Sequence, residues 1–158
     1  MKILAVSAVI VCCDQISKSL IKNSLNLFDS VPVIENFFHF TFIKNSGMAF
    51  GLNFPGGIYF FTIASFILTC VLFWLLWKER NSSIYIRLAF ALIIGGAIGN
   101  LIDRVLYREV VDFLDIMIGD YHWYIFNVAD ASVSVGMVIL IIHTIYFTPK
   151  NSESVLSP

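Results

Sequence analysis

Charged residues are scarce in this chain of 158 residues: Asp, Glu, Lys and Arg together make up 13%, whereas hydrophobic residues make up 58%. The mean hydropathy is +0.84. Soluble domains average about 25% charged residues, so this composition excludes that class and indicates a protein whose solvent is the lipid bilayer. The length allows one small domain, which we place at residues 1–148, followed by a polar tail at residues 149–158.

The chain also lacks the signatures of several functional classes. A formal net charge of -1 and the absence of a basic run exclude a nucleic-acid surface. Cys12, Cys13 and Cys70 all lie inside apolar runs without metal-ligand spacing, so we expect buried, inert thiols. No glycine-rich phosphate loop, histidine cluster or Ser-His-Asp set is present. We therefore expect neither a metal nor a cofactor.

What the chain does have is long apolar runs. Four of them, at residues 3–21, 57–77, 84–106 and 127–147, have the length at which a helix crosses the hydrocarbon core, about 20 residues. The first run follows Lys2 and resembles a signal peptide, but it continues past Cys13 without a small-residue cleavage site. We therefore expect four retained membrane spans.

The two longer connections carry aromatic residues. In residues 23–57, Phe38, Phe40 and Phe42 alternate with other residues, which predicts a strand with one aromatic face lying against the lipid headgroups. A turn at residues 44–47 and a returning strand over 48–50 follow in this interpretation. Residues 107–126 form a second connection with a turn at residues 119–120.

The distribution of basic residues predicts the orientation. Four spans place both termini on the same side as the short loop at residues 78–87, and that side is rich in basic residues: Lys2, Lys78, Arg80, Arg87 and Lys150. The two longer loops hold fewer, spread over more residues: Lys22, Lys44 and Arg108. The positive-inside rule then places both termini in the cytoplasm and the longer loops outside.

Polar residues recur at the predicted outer ends of the spans, at residues 14–18, 45, 100–104, 112 and 127–130. Charge at membrane depth is costly and usually functional. Gly95, Gly96 and Gly99 precede the third of these segments and would let another helix approach closely. Five polar segments at one depth indicate a single site.

Carboxylates are the chemically useful groups at this depth, because no activated serine or cysteine is evident. The candidates are Asp14, Asp103, Asp112, Asp115 and Asp130. Two close carboxylates in a dry site share one proton, so one can activate water while the other donates a proton.

Each candidate also has a structural interpretation. Asp14 and Lys18, four residues apart on a helix, can simply neutralise each other. Asp103 and Arg104 can form an interfacial ion pair. Asn127 and Asp130 have the spacing of a helix cap. The residue types alone do not determine which two of these carboxylates are catalytic.

The same residues carry a resemblance. The segments at residues 14–18 (DQISK), 45–50 (NSGMAF), 95–104 (GGAIGNLIDR), 111–113 (VDF) and 126–130 (FNVAD) resemble, in order and spacing, motifs of the lipoprotein signal peptidase (signal peptidase II) family. One departure is residues 107–109 (YRE), where family members usually carry a glycine.

The resemblance implies a four-transmembrane-helix bundle, an all-α membrane protein, with a small extracytoplasmic β-sheet resting on the membrane. It implies an aspartyl endopeptidase of the bacterial cytoplasmic membrane that cuts lipoprotein precursors before a diacylglyceryl-modified cysteine. Asp112 and Asp130 match the catalytic pair. Supporting positions are matched by Asp14, Lys18, Asn45, Gly99, Asn100, Asp103, Arg104, Asn127 and Ala129.

For partners we expect lipid-modified prolipoproteins and membrane lipids, with the chain itself a monomer. Two competing functions remain from the residues alone. A proton-coupled transporter would use the same acids as a relay, and a lipid-binding assembly factor would not need their chemistry.

Overall fold

A computed structural model describes residues 2–46, 56–119 and 121–147. Its elements in chain order are α1 (Leu4–Ser24), β1 (Ser30–Ile34), β2 (Phe38–Asn45), α2 (Gly57–Lys78), α3 (Ile84–Tyr107), β3 (Val110–Ile118), β4 (Tyr121–Phe126) and α4 (Val128–Phe147). The four helices confirm the four predicted segments, with α1 continuing to Ser24 beyond the predicted end at residue 21. The predicted returning strand at residues 48–50 lies outside the described residues.

The helices, of 21, 22, 24 and 20 residues, are long and apolar enough to cross a membrane. Over its most apolar stretch α3 is 50% buried, whereas the other three are 11% to 17% buried. Helix α3 is therefore the central helix and contacts α1, α2 and α4. Leu72 and Leu76 of α2 pack with Ile93 and Ile94 of α3 in the core. The outward faces remain apolar, as lipid contact requires.

The glycines of α3 lie where the neighbouring helices come closest. A Cβ added to Gly95 would lie 2.8 Å from the Ile10 Cβ of α1, and one added to Gly96 would lie 2.6 Å from the Ser132 Oγ of α4. The prediction that small residues permit close helix approach is thus confirmed on two sides of α3.

We predict that Gly96→Ala lowers the free energy of unfolding by about 1–3 kcal/mol, because the added methyl group meets the Ala129 carbonyl oxygen of α4. Thermal unfolding of the purified protein in detergent measures the change. The control is Ala64→Val, which adds bulk to an exposed position of α2 and should change stability little. Equal melting temperatures for Gly96→Ala and the unaltered protein would contradict the prediction.

A four-stranded antiparallel sheet, in the order β1-β2-β3-β4, covers one end of the bundle. The predicted strand at Phe38–Phe42 is confirmed as part of β2. The prediction that its aromatic face lies against the lipid headgroups was wrong for Phe42, which is buried with Val111 and Phe113. Ile21, Leu25 and Val128 pack against this cluster. The sheet is therefore fixed to the ends of α1 and α4.

Residues 107–126 were predicted as a connection with a turn at residues 119–120, and no strand was assigned on either side of that turn. They form the hairpin of β3 and β4, with Gly119 at φ 63°. Strand β3 is buried along most of its length, on both faces, and so lacks the alternation of apolar and polar residues that marks a half-exposed strand. The pattern used to find β2 is absent from β3 for this reason.

The segment without the family's usual glycine keeps a glycine-like backbone. Arg108 ends α3 at φ 59°, in the left-handed region that favours glycine, and its N–H donates to the Arg104 carbonyl oxygen at 3.2 Å. A non-glycine residue there costs about 1 kcal/mol. The guanidinium lies 5.6 Å from the centre of the Tyr59 ring.

The prediction of buried cysteines was wrong. Cys12, Cys13 and Cys70 are all exposed on the outer faces of α1 and α2. In a membrane bundle the apolar residues face lipid as well as the core, so an apolar neighbourhood in sequence does not predict burial.

Candidate active site

The predicted site residues meet where α1, α3 and the start of α4 approach β2 and β3. Lys18 Nζ, from α1, lies 2.8 Å from Asp14 Oδ2 and 2.9 Å from Asp103 Oδ2 of α3. All three side chains are at most 2% exposed. One ammonium group is therefore shared by two buried carboxylates, and this links α1 to α3. The predicted Asp14–Lys18 pair is part of this larger group.

Gly99 and Ala129 complete the surroundings of Asp14. The Ala129 N–H, at the start of α4, donates to Asp14 Oδ1 at 2.9 Å. A Cβ on Gly99 would lie 2.6 Å from Asp14 Oδ2, so this carboxylate occupies space that a side chain would fill. Asp14 thus connects three helices: it is on α1, lies against α3 and accepts from α4.

Two asparagines link Asp112 to Asp130. Asn127 Nδ2 donates to Asp112 Oδ1 at 2.7 Å and to Asn100 Oδ1 at 3.1 Å. Asn100 Nδ2 in turn donates to Asp130 Oδ1 at 2.7 Å. Asn45 Nδ2, from β2, donates to Asp112 Oδ2 at 3.2 Å. A continuous set of hydrogen bonds therefore joins the two carboxylates.

The neighbours fix how these amides are oriented. Lys18 Nζ lies 3.0 Å from Asn100 Oδ1, and an ammonium group can only donate, so the NH₂ group of Asn100 must face Asp130. The Asp130 N–H donates to Asn127 Oδ1 at 3.0 Å, which directs the NH₂ group of Asn127 toward Asp112. Lys18 thus helps to orient the hydrogen bonds to Asp112 and Asp130 without contacting either carboxylate.

The helix-cap interpretation of Asn127 and Asp130 is also confirmed. Besides the bond to Asn127 Oδ1, the Asn127 N–H donates to Asp130 Oδ2 at 3.3 Å, which is the reciprocal pattern of a capping box. Asp130 therefore caps α4 with one oxygen and faces Asn100 with the other. The structural and functional interpretations do not compete here.

The other candidate interactions are arranged differently. Asp103 pairs with Lys18 rather than with Arg104, whose Nη1 lies 3.4 Å from Ser65 Oγ. Asp115 is outside the cluster: it accepts from Thr41 Oγ1 at 2.6 Å and lies 2.9 Å from His122 Nδ1.

The five acids therefore differ in their partners. Asp14 and Asp103 contact an ammonium group and Asp115 contacts an imidazole, whereas the described hydrogen bonds of Asp112 and Asp130 come from amides. Burial, and secondly the neighbouring Asp130 carboxylate, raise the pKa of Asp112 to about 7. Close to neutral pH, Asp112 is able both to hold and to release a proton.

Comparison with known proteins identifies the family of this chain. Residues 6–146 match the family model of signal peptidase (SPase) II. The chain belongs to the signal peptidase II family. It is 40% identical over 149 residues to a lipoprotein signal peptidase of Bacillus pumilus, covering 94% of this chain and 96% of the relative. It is 41% identical over 146 residues to one of Desulforapulum autotrophicum, covering 89% and 90%.

Solved structures agree with the fold of this family member. One, described as a bacterial membrane enzyme, superposes with a TM-score of 0.85 at 33% identity, covering 99% of this chain and 94% of the other. A second has a TM-score of 0.85 at 35% identity, covering 93% and 94%. The four-helix bundle with a small sheet is thus shared with solved structures of bacterial membrane enzymes.

The sequence analysis did not identify two residues at the candidate site of this signal peptidase II. Gln15 Nε2 donates to Asp103 Oδ1 at 3.0 Å and to the Gly99 carbonyl oxygen at 3.2 Å. Its place one residue after Asp14 was the available signal. Tyr124 of β4 lies near the pair: burial, and then Asp112 and Asp130, raise the pKa of its phenol.

No metal site is evident in the part of the chain that the structure describes, where no group of three or more His, Cys, Asp or Glu side chains is placed to hold an ion. The cluster around Asp14 and Asp103 already has a cation, Lys18.

We predict that Asp112 makes the stability of this family member depend on pH. The pKa of Asp112 is raised from 3.8 to about 7 on folding. The contribution of its protonated form to the free energy of unfolding is therefore complete below pH 4 and is lost as the pH rises through 7. The loss is on the order of 4 kcal/mol, at about 1.4 kcal/mol per pKa unit. Unfolding measured from pH 4 to 8 should show this decline. Asp112→Asn should flatten it, and an unchanged slope in that variant would contradict the assignment.

Proposed function

We propose that Asp112 and Asp130 are the catalytic pair of an aspartyl endopeptidase that cuts diacylglyceryl-modified lipoprotein precursors before the lipidated cysteine. The chain is a signal peptidase II, an aspartic peptidase of family A8, and removes signal peptides from prolipoproteins. The observation that carries the assignment is that these two carboxylates contact amides and no cation within hydrogen-bonding distance in the described structure. Asp14 and Asp103, by contrast, share the Lys18 ammonium group, and Asp115 contacts the His122 imidazole.

The carboxylate that holds the shared proton acts as the general acid, and the other acts as the general base. Asp112, with a pKa of about 7, holds the proton, and Asp130 is the general base. Asp130 takes a proton from water as the water oxygen attacks the scissile carbonyl carbon, and Asp112 gives its proton to the carbonyl oxygen. On collapse, Asp130 gives its proton to the leaving nitrogen, and Asp112 recovers one from the diol. The pair ends as it began.

The supporting residues act on this step through position and electrostatics. Asn100 and Asn127 hold the two carboxylates in register, and Asn45 holds the second oxygen of Asp112. Arg104 is close enough to both carboxylates to interact with their charge, which favours a pair that carries one net negative charge.

We further propose that the termini are cytoplasmic, that the site faces the extracytoplasmic side, and that the protein works as a monomer. The excess of basic residues at the end of the bundle away from the sheet supports this orientation. A lipidated precursor is anchored by its acyl chains, so its scissile bond lies at the membrane surface, where the sheet covers Asp112. The single domain at residues 1–148 holds every residue of the proposed site.

The test is cleavage of two versions of one precursor, with and without diacylglyceryl modification, by the purified protein in detergent. We expect cleavage of the lipidated form only, at an unchanged rate in excess chelator, because carboxylates and water suffice. Loss of activity on chelation would contradict the metal-free mechanism. Absence of cleavage in all conditions would favour the assembly factor or the transporter. The four described helices are continuous, without the breaks that transporters place at their ion sites.

A further inference from the structure

A cavity lies at the end of the bundle away from the sheet. It has a volume of about 560 Å³ and is bordered by the start of α1, the connection between α2 and α3, and the first turn of α3. Three basic residues line it, Lys2, Arg80 and Arg87, together with the apolar residues Ile3, Val6 and Ile84. The lining thus combines positive charge with hydrocarbon.

The positive charge in this cavity has no counter-charge within the described residues. Every ion pair within 4.0 Å in residues 2–46, 56–119 and 121–147 involves other side chains. The connection between α2 and α3 holds a single carboxylate, Glu79, which accepts a hydrogen bond from Ser82 and does not line the cavity. Arg87 Nε is buried without an acceptor. A buried donor of this kind favours a bound anion.

The tryptophans at the end of α2 indicate the depth of the cavity. The Arg80 guanidinium lies 5.2 Å from the centre of the Trp77 ring, and Lys78 Nζ lies 5.6 Å from that of Trp74. Tryptophan rings with a basic neighbour are typical of the headgroup layer of a membrane. The start of α3, which Ser83 caps, adds the positive end of the helix dipole at the same level.

We propose that this cavity binds one anionic phospholipid, with the phosphodiester at Lys2, Arg80 and Arg87 and the first part of the acyl chains along Ile3, Val6 and Ile84. Basic pockets between helices at the membrane surface have the chemistry that recognises lipid phosphate. A free phosphate ion would satisfy the charges but leave the apolar half of the lining uncovered. The lipid phosphate is therefore the better match.

This lipid site is separate from the catalytic carboxylates. Arg87 and Asn100 lie on the same helix, and at 1.5 Å per residue about 20 Å separates them. The proposal does not depend on the peptidase assignment, and either can fail without the other. Variants in the cavity can also be checked for folding by their cleavage activity.

Native mass spectrometry of the purified full-length chain tests the proposal with phosphatidylglycerol and phosphatidylcholine of identical acyl chains. We expect one phosphatidylglycerol to bind in preference to phosphatidylcholine. Arg87→Gln and Arg80→Gln should each weaken that binding about five- to tenfold. The matched control is Lys78→Gln, which removes the same charge at the same depth but does not line the cavity. It should leave binding nearly unchanged, and cleavage of a detergent-solubilised precursor should be unaffected in all three variants.

Three results would overturn the lipid site. Equal binding of the two lipids would remove the role of charge, and equal weakening by Lys78→Gln and Arg87→Gln would show a diffuse attraction rather than a site. Displacement of phosphatidylglycerol by millimolar inorganic phosphate, with no effect of acyl chain length, would show a site for free phosphate instead.

Discussion

Asp112→Asn and Asp130→Asn are each expected to lower the rate of precursor cleavage by about 10³-fold or more, with the protein still inserted and folded. Each change keeps the shape of the side chain and removes a carboxylate that gives or takes the proton in the proposed step. The two carboxylates act as one unit through Asn127 and Asn100. The double variant should therefore cleave no more slowly than the less active of the two single variants. The measurement is the single-turnover rate on a lipidated precursor.

The control for this prediction is Asp29→Asn, which alters an exposed carboxylate that accepts from Asn26 in the loop after α1. It should retain nearly full activity. Thermal unfolding and size-exclusion profiles separate lost chemistry from lost folding. Substantial turnover by either dyad variant would remove that residue from the pair, and the remaining candidates would have to be tested in turn.

The sequence was sufficient to predict the helices because each is a continuous apolar run of membrane length. It was also sufficient for β2, where Phe38, Phe40 and Phe42 alternate. It was not sufficient for β3, since a strand buried on both faces resembles any apolar segment. The prediction that the cysteines are buried was wrong for a related reason: in a bilayer, apolar surroundings occur both inside the bundle and at the lipid face.

The choice among the acids needed three-dimensional information. Asp14, Asp103, Asp112, Asp115 and Asp130 have similar surroundings in the sequence. They differ only in which side chains from distant segments reach them, such as Lys18 at Asp103 or Thr41 at Asp115. Spacing along one helix predicted the Asp14–Lys18 pair, but no spacing rule predicts a contact across 82 positions, such as that from Lys18 to Asn100. The family resemblance provided the assignment that the residues alone left open.

Lys18→Met is expected to have the largest effect on stability, lowering the free energy of unfolding by about 3–5 kcal/mol. The change keeps an unbranched chain of similar length but removes the ammonium group, so that Asp14 and Asp103 would both be buried without the cation that they share. Asn100 would also lose the donor that fixes its orientation toward Asp130, and cleavage should fall with stability. Unfolding in detergent at pH 7 measures the first effect.

A matched control lies one turn along α1. Lys22 is exposed and lies over the Tyr107 ring at 4.3 Å, so Lys22→Met removes the same charge without leaving a buried carboxylate unpaired. It should cost less than about 1 kcal/mol. If the loss in Lys18→Met comes from uncompensated charge, then adding Asp14→Asn and Asp103→Asn should restore much of the stability, because neutral amides need no ammonium partner. Equal stability of the Lys18→Met and Lys22→Met variants would show instead that the shared ammonium group is not what holds α1 against α3.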